Sequence, residues 1–155
     1  MSTKYELKER AESSLYSFFI QSWPIIEGHS KFVDEWFLEV IAEHLELVYY
    51  RKIKNLLINV PPRTGKTSLI SIAFPAWVWI KDATEKFICA SCTNSLSLDI
   101  ADKSRLLIES PWYQENWGHL FKIRADQNAK SYFANDQTGY RISSSVGSMI
   151  IGKGG

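Results

Sequence analysis

The chain has 155 residues, with 18 Lys and Arg against 17 Asp and Glu for a formal net charge of +1. At 45% hydrophobic and 23% charged it has the composition of a globular protein with a real core, which excludes a disordered segment and an overall basic nucleic-acid binder. Two cysteines exclude a disulfide scaffold, and with no apolar signal core at the N-terminus and no apolar run of about 20 residues, a soluble cytoplasmic protein is expected.

In chain order, residues 4–22 carry Leu7, Ala11, Leu15 and Phe18 on one face, a helical spacing. Trp23-Pro24 is expected to end this helix, because the residue before proline is pushed away from helical angles. Gly28-His29-Ser30 is a loop with Ser30 as a candidate N-cap, which would put Asp34 and Glu35 in a first helical turn. Val33, Trp36, Phe37, Val40, Ile41, His44, Leu45 and Val48 then form an amphipathic stripe, and His44 on it is expected to be a hydrogen-bonded core histidine. Arg51, Lys52 and Lys54 follow. They could touch DNA phosphates, but a solvated helix end is the expectation.

Residues 55–60 (Asn-Leu-Leu-Ile-Asn-Val) have the composition of a short strand buried on both faces. Pro61-Pro62-Arg63-Thr64-Gly65 is a loop. Residues 66–80 are expected to be helical with a kink at Pro75, and Trp77 and Trp79 to lie in the core. A second strand is expected at 85–91. Thr93, Asn94 or Ser95 would cap a helix running to Ser110, where Pro111 stops it, and one more short helix is expected at 111–120. Tyr132-Phe133-Ala134 and Tyr140-Arg141-Ile142-Ser143 flank Asn135–Gly139 as a hairpin. The tail from Gly147 holds four of the eight glycines. Strands alternating with helices predict an α/β fold with parallel β-α-β units. Residues 1–29 would form an N-terminal helical segment and 30–155 the α/β domain.

The chemistry concentrates at Gly65-Lys66-Thr67, between an expected strand and an expected helix. Consecutive backbone N–H groups at a helix start can wrap phosphates, and the helix dipole favours their charge. Gly65 allows close backbone approach, Lys66 can reach the outer phosphates, and the Thr67 hydroxyl can ligate Mg²⁺. Pro62, Arg63, Thr64 and Ser68 complete the candidate nucleotide-binding set. The phosphate-loop pattern calls for a glycine at position 60, where this chain has Val60. Arg63 fits two roles: a cation over the γ-phosphate, as an arginine finger, or a solvated loop arginine.

The run Leu56-Leu57-Ile58-Asn59-Val60-Pro61-Pro62-Arg63-Thr64-Gly65-Lys66-Thr67 resembles the phosphate loop of tailed-bacteriophage terminase large subunits, which favour Pro-Pro-Arg before Gly-Lys-Ser/Thr. Phe74-Pro75-Ala76-Trp77, Ile108-Glu109-Ser110-Pro111-Trp112-Tyr113, Asp126-Gln127-Asn128-Ala129-Lys130, Asn135-Asp136-Gln137-Thr138-Gly139-Tyr140-Arg141 and the closing glycine segment follow in the family's order. The resemblance spans roughly residues 30–155. It implies a partial P-loop NTPase three-layer fold with a mostly parallel sheet, preceded by N-terminal helices. It implies ATP and Mg²⁺ as ligands, Lys66 and Arg63 as catalytic groups, and Thr67 as metal ligand. The partners it implies are double-stranded phage DNA, a terminase small subunit and a portal or procapsid, with homo-oligomers in the intact protein. Ser148 and Ile151 depart from the Gly and Thr frequent in relatives, Phe37 replaces a polar residue, and the base-recognition region near 30–36 stays unassigned.

A second motif, a hydrophobic strand ending in Asp and followed by Glu, is absent. Leu106-Leu107-Ile108-Glu109 mimics it, but its caps and length mark a helix end. Weak ATP binding and little or no hydrolysis are therefore expected. A helicase-like P-loop ATPase and an inactive prophage remnant are the competing readings. Cys89-Ala90-Ser91-Cys92 has CxxC spacing without further ligands nearby, so a strand-end pair of small residues is expected rather than a metal or redox site.

Overall fold

The structure, a computed structural model, describes residues 3–146. The chain divides into two compact units, Met1–Trp77 and Val78–Gly155. The glycine segment from Gly147, with Ser148 and Ile151, lies outside the described residues.

The first unit opens with α1 (Lys4–Ser13), started by a reciprocal cap: the Glu6 N–H donates to Thr3 Oγ1 and the Thr3 N–H to the Glu6 carboxylate. The expected single helix is instead two. Ser14 is extended at φ −139°, ends α1 by donating its N–H to Arg10 O, and starts α2 (Leu15–Glu27) by accepting from the Ser17 N–H. Leu15 N–H is also met, donating to the Glu46 carboxylate at 2.7 Å. Nor does the helix stop at Trp23-Pro24. Pro24 sits inside α2, and the turn around it is held by buried Ile26 and by Trp23 in edge-to-face contact with Phe19 and Phe32. Packing outweighs the local cost of proline here.

Helix α3 (Trp36–Tyr49) begins later than expected. Its N-cap is Glu35, which makes no side-chain cap, so Ser30 is not the cap and Asp34 and Glu35 precede the helix. Asp34 accepts a hydrogen bond from the Tyr16 hydroxyl instead. The buried face is Leu38, Ile41, Ala42 and Leu45, rotated from the expected stripe, and Trp36 is 76% exposed. His44 is half-buried, its Nδ1 2.7 Å from Val40 O.

Residues 55–60 form no strand. They carry no regular secondary structure and no ladder partner among the described residues, and Leu57 is 94% exposed. The expectation of a doubly buried strand therefore fails: apolar composition suits a strand, but a ladder needs a neighbour. The helix after the loop starts at Lys66. It passes through a π-helical stretch, Ser68–Ala73, before α4 (Phe74–Lys81). That wider turn, closed by Phe74 N–H to Leu69 O, sits directly ahead of Pro75, where the ring removes a donor, and stands where a kink was expected. Trp77 is fully buried, stacks edge-on with Tyr49 and donates Nε1–H to Ala11 O.

The second unit is a mixed α/β layer arrangement. It contains β1 (Lys86–Ser91), α5 (Asn94–Glu109), α6 (Pro111–Trp117), β2 (Ile123–Ala129), β3 (Tyr132–Asn135) and β4 (Tyr140–Ser145). Strand order is β1-β4-β3-β2. β1 and β4 pair in parallel, Lys86 opposite Tyr140 through Ser91 opposite Ser145. The pairs β3–β4 and β2–β3 are antiparallel, so the sheet is mixed rather than mostly parallel. β2 was not expected, because Arg124, Asp126, Gln127 and Asn128 give it no apolar alternation. Thr93, one of the three candidate caps, caps α5; Ser110, expected only as the end of that helix, also caps α6, and Glu109 is helical, which removes it as a strand-end acid.

The hairpin is fixed by Asn135, itself 1% exposed. Its Nδ2 donates to Ala83 O, while Oδ1 accepts from the N–H groups of Gln137 and Gly139. Trp79, buried as expected, meets Phe87, Phe121 and Phe133.

Candidate phosphate-binding site

The site lies wholly in the first unit and begins with backbone angles. Arg63 and Gly65 both have positive φ, +61° and +79°. Gly65 adopts this freely, whereas Arg63 does so at a cost of roughly 1–2 kcal/mol. Alternating left-handed residues turn successive N–H groups toward one side, a concavity suited to an anion. The first helical bond of the following segment is Leu69 N–H to Gly65 O at 3.0 Å. The N–H groups of Lys66, Thr67 and Ser68 precede it and have no carbonyl below them to bond. They point with the positive end of the helix dipole.

Around this turn is a cleft of about 270 Å³, lined by residues 63–68 together with Trp23 and Glu27 of α2. Arg63 and Thr67 are exposed, and Thr64, Gly65 and Lys66 half-buried. The Lys66 ammonium folds back over its own loop, donating to Pro61 O at 3.0 Å and Val60 O at 3.4 Å. Thr64 Oγ1 also donates to Pro61 O. Ser68 is buried, and its hydroxyl donates to Glu27 Oε1 at 2.6 Å, so its side chain is engaged with α2 and its N–H is the group left for an anion. Pro62 is exposed at the loop tip.

A second hollow of about 250 Å³ adjoins the first and shares Trp23, Arg63, Thr64 and Gly65 with it. Phe32, Val33 and Leu38 make its floor apolar, and Lys31 and Glu35 add polar groups. Trp23 is held there: its Nε1–H donates to Ser30 O at 2.7 Å, and Phe19 and Phe32 meet it edge-on. A Cβ added at Gly65 would stand 3.4 Å from the Trp23 ring and 3.8 Å from Phe19. The aromatic wall thus sets how closely the loop packs on α2.

The sequence motif led to Pro62 through Ser68, and all seven lie on this one turn. What it missed are Trp23, Glu27 and Phe32. Phe19, Trp23 and Glu27 stand at four-residue spacing on one stripe of α2, a signal hidden by ending that helix at Pro24.

The donor set fits a polyphosphate: three helix-start amides, two flanking cations, and the exposed Thr67 hydroxyl for a divalent cation. Among the described residues no cluster of three or more His, Cys, Asp or Glu could hold a metal unaided. Cys89 is half-buried in β1 and Cys92 exposed, both free thiols, with no such cluster around them. Among the described residues no helix is long and apolar enough to cross a membrane. No protein-family model, no curated protein and no solved structure matches the chain. The site is therefore described by its own geometry, a turn with two positive-φ residues at the mouth of a helix.

Proposed function

We propose that this chain is the ATP-binding part of a DNA-packaging motor of the terminase large-subunit kind, in which ATP hydrolysis by the intact protein is coupled to movement of double-stranded DNA. The observation that carries the proposal is the pair of left-handed residues, Arg63 and Gly65, opening a helix whose first amides have no intrahelical partner. A P-loop three-layer fold, Mg²⁺, a small-subunit partner and a portal or procapsid belong to the same proposal.

In this proposal the amides of Lys66, Thr67 and Ser68 bind the phosphates, and Lys66 leaves the carbonyls of Val60 and Pro61 for the outer phosphates. Exchanging two carbonyl acceptors for a phosphate keeps the ammonium satisfied while strengthening its hydrogen bonds by charge. Arg63 adds positive charge on the solvent side, and the hollow beside Trp23 and Phe32 takes the base by stacking on an aromatic face. A bound divalent cation supplies charge neutralisation of the phosphate oxygens.

Thermal melting with and without Mg-ATP tests this. A ligand at about 100 times its Kd stabilises the folded state by about 2.7 kcal/mol. The melt of the native chain should rise with Mg-ATP, and that of Lys66→Ala should stay put. An unmoved native melt at millimolar Mg-ATP, or an equal rise in Lys66→Ala, rejects the proposal.

A further inference from the structure

We infer that the hollow beside Trp23 takes guanine as well as adenine, with Glu35 as the residue that reads the base, an inference that rests on the nucleotide-binding reading above. The hollow shares Trp23, Arg63, Thr64 and Gly65 with the phosphate cleft, so one ligand can reach from the 63–68 turn into it. Its walls are fixed. Trp23 is tied to Ser30 O through Nε1–H and meets Phe32 edge-on, with 5.2 Å between ring centres. Leu38, only 2% exposed, anchors the start of α3, and its N–H donates to Glu35 O at 2.8 Å. The backbone of Glu35 is thereby held where its side chain lines the hollow.

An apolar pocket with few polar groups selects its ligand through those groups. Besides Arg63 on the phosphate side, the charged side chains lining this one are Lys31 and Glu35. Glu35 precedes α3 without a side-chain capping bond, and among the described residues neither its carboxylate nor the Lys31 ammonium has a hydrogen-bond or ion-pair partner. An ionised carboxylate only accepts, and an ammonium only donates. A base that satisfies both presents N–H groups to Glu35 and an acceptor to Lys31. Adenine offers its N6 amino group and N1. Guanine offers N1–H and its N2 amino group side by side, a match for the two oxygens of one carboxylate, and O6 for Lys31. Guanine thus makes one more hydrogen bond than adenine, and both purines present a ring face to the aromatic wall. A carboxylate at the start of α3 also suits the helix dipole, but that role gives no preference among bases.

The experiment is calorimetric titration of the full chain, in excess Mg²⁺, with ATP, GTP, inosine triphosphate and xanthosine triphosphate, for the native protein and Glu35→Gln. The native chain should bind GTP within about tenfold of ATP or more tightly. Inosine triphosphate lacks only the N2 amino group of GTP and should bind roughly tenfold more weakly than GTP, the loss of one hydrogen bond to a charged acceptor. Glu35→Gln sets an amide N–H against that amino group, so GTP should weaken by roughly tenfold or more. Xanthosine triphosphate carries an oxygen at the same place and should bind the variant more tightly than the native chain. GTP bound more than about tenfold more weakly than ATP overturns the inference. So does equal binding of GTP and inosine triphosphate, a comparison on the native chain that decides the matter where Glu35→Gln shows no cooperative melt. Unchanged affinities for GTP and xanthosine triphosphate in a folded Glu35→Gln overturn it as well. A native chain that binds none of the four rejects the nucleotide reading itself, which separates the two outcomes.

Discussion

Replacing Arg63 by glycine should move stability and nucleotide binding in opposite directions. Arg63 holds φ at +61°, where a side chain costs roughly 1–2 kcal/mol that glycine does not incur. Glycine in turn gains unfolded-state entropy, destabilising by roughly 0.4–1 kcal/mol. The difference is a net stabilisation of about 0.5–1 kcal/mol, or about 1–4 °C in melting temperature for a chain of 155 residues. Loss of the guanidinium from the cleft wall should weaken ATP binding roughly tenfold, at the low end of a charged hydrogen bond because Arg63 is exposed. Urea denaturation gives the first quantity and titration calorimetry the second, with Arg63→Ala as the control that removes the charge but keeps the strain. A glycine variant less stable than the alanine variant would refute the strain argument. Unchanged ATP affinity in both would refute the placement of Arg63 over the phosphates.

Gly139→Ala should destabilise the second unit by about 1–3 kcal/mol in urea melts, because its Cβ would stand 2.1 Å from the Ala83 carbonyl oxygen and 3.0 Å from that of Glu85. Ser110→Ala should cost about 1 kcal/mol by the same assay, since its hydroxyl donates to Leu107 O at 2.6 Å and accepts from the Tyr113 N–H at 3.2 Å. Thiol labelling followed by mass spectrometry should modify exposed Cys92 first. Burial pushes the Cys89 thiol above its ordinary value, opposed in part by Arg141, so its thiolate fraction and labelling rate should stay low at pH 8 and climb as pH rises.

The parts legible in the sequence were those encoded by local chemistry. Thr93 announces α5 because a hydroxyl one residue before a helix meets an orphan N–H, and Pro111 marks the end of α5 and the start of α6. Asn135 through Gly139 announce the β3–β4 hairpin because that turn needs an Asx acceptor and a residue without a side chain. What was not legible depended on distant partners. Pro24 stays helical because Phe19 and Phe32 pack on Trp23, and Phe32 lies beyond the end of α2, where helical spacing does not place it against Trp23. β2 carries Arg124, Asp126, Gln127 and Asn128 and belongs to the sheet through its pairing with β3. The stripe on α3 was rotated because Trp36 and Val40, apolar by type, are turned outward while Ala42 faces the core.

The same division explains how the turn at residues 63–68 can form while its expected supporting strand is absent from the sheet of the described residues. A phosphate loop needs two things: amides aimed at one point, and a rigid body to hold them. The first is intrinsic to positive φ at residues 63 and 65 followed by a helix start, and needs no neighbouring strand. The second can come from any packed surface. Here α2 supplies it, through ring contacts to the face of Gly65 and the Ser68–Glu27 hydrogen bond. Residues 55–60 lead into the loop, and the Lys66 ammonium ties their end to it by donating to Val60 O and Pro61 O. Those are the bonds a phosphate would have to replace, so filling the site would exchange two carbonyl acceptors within the loop for the ligand.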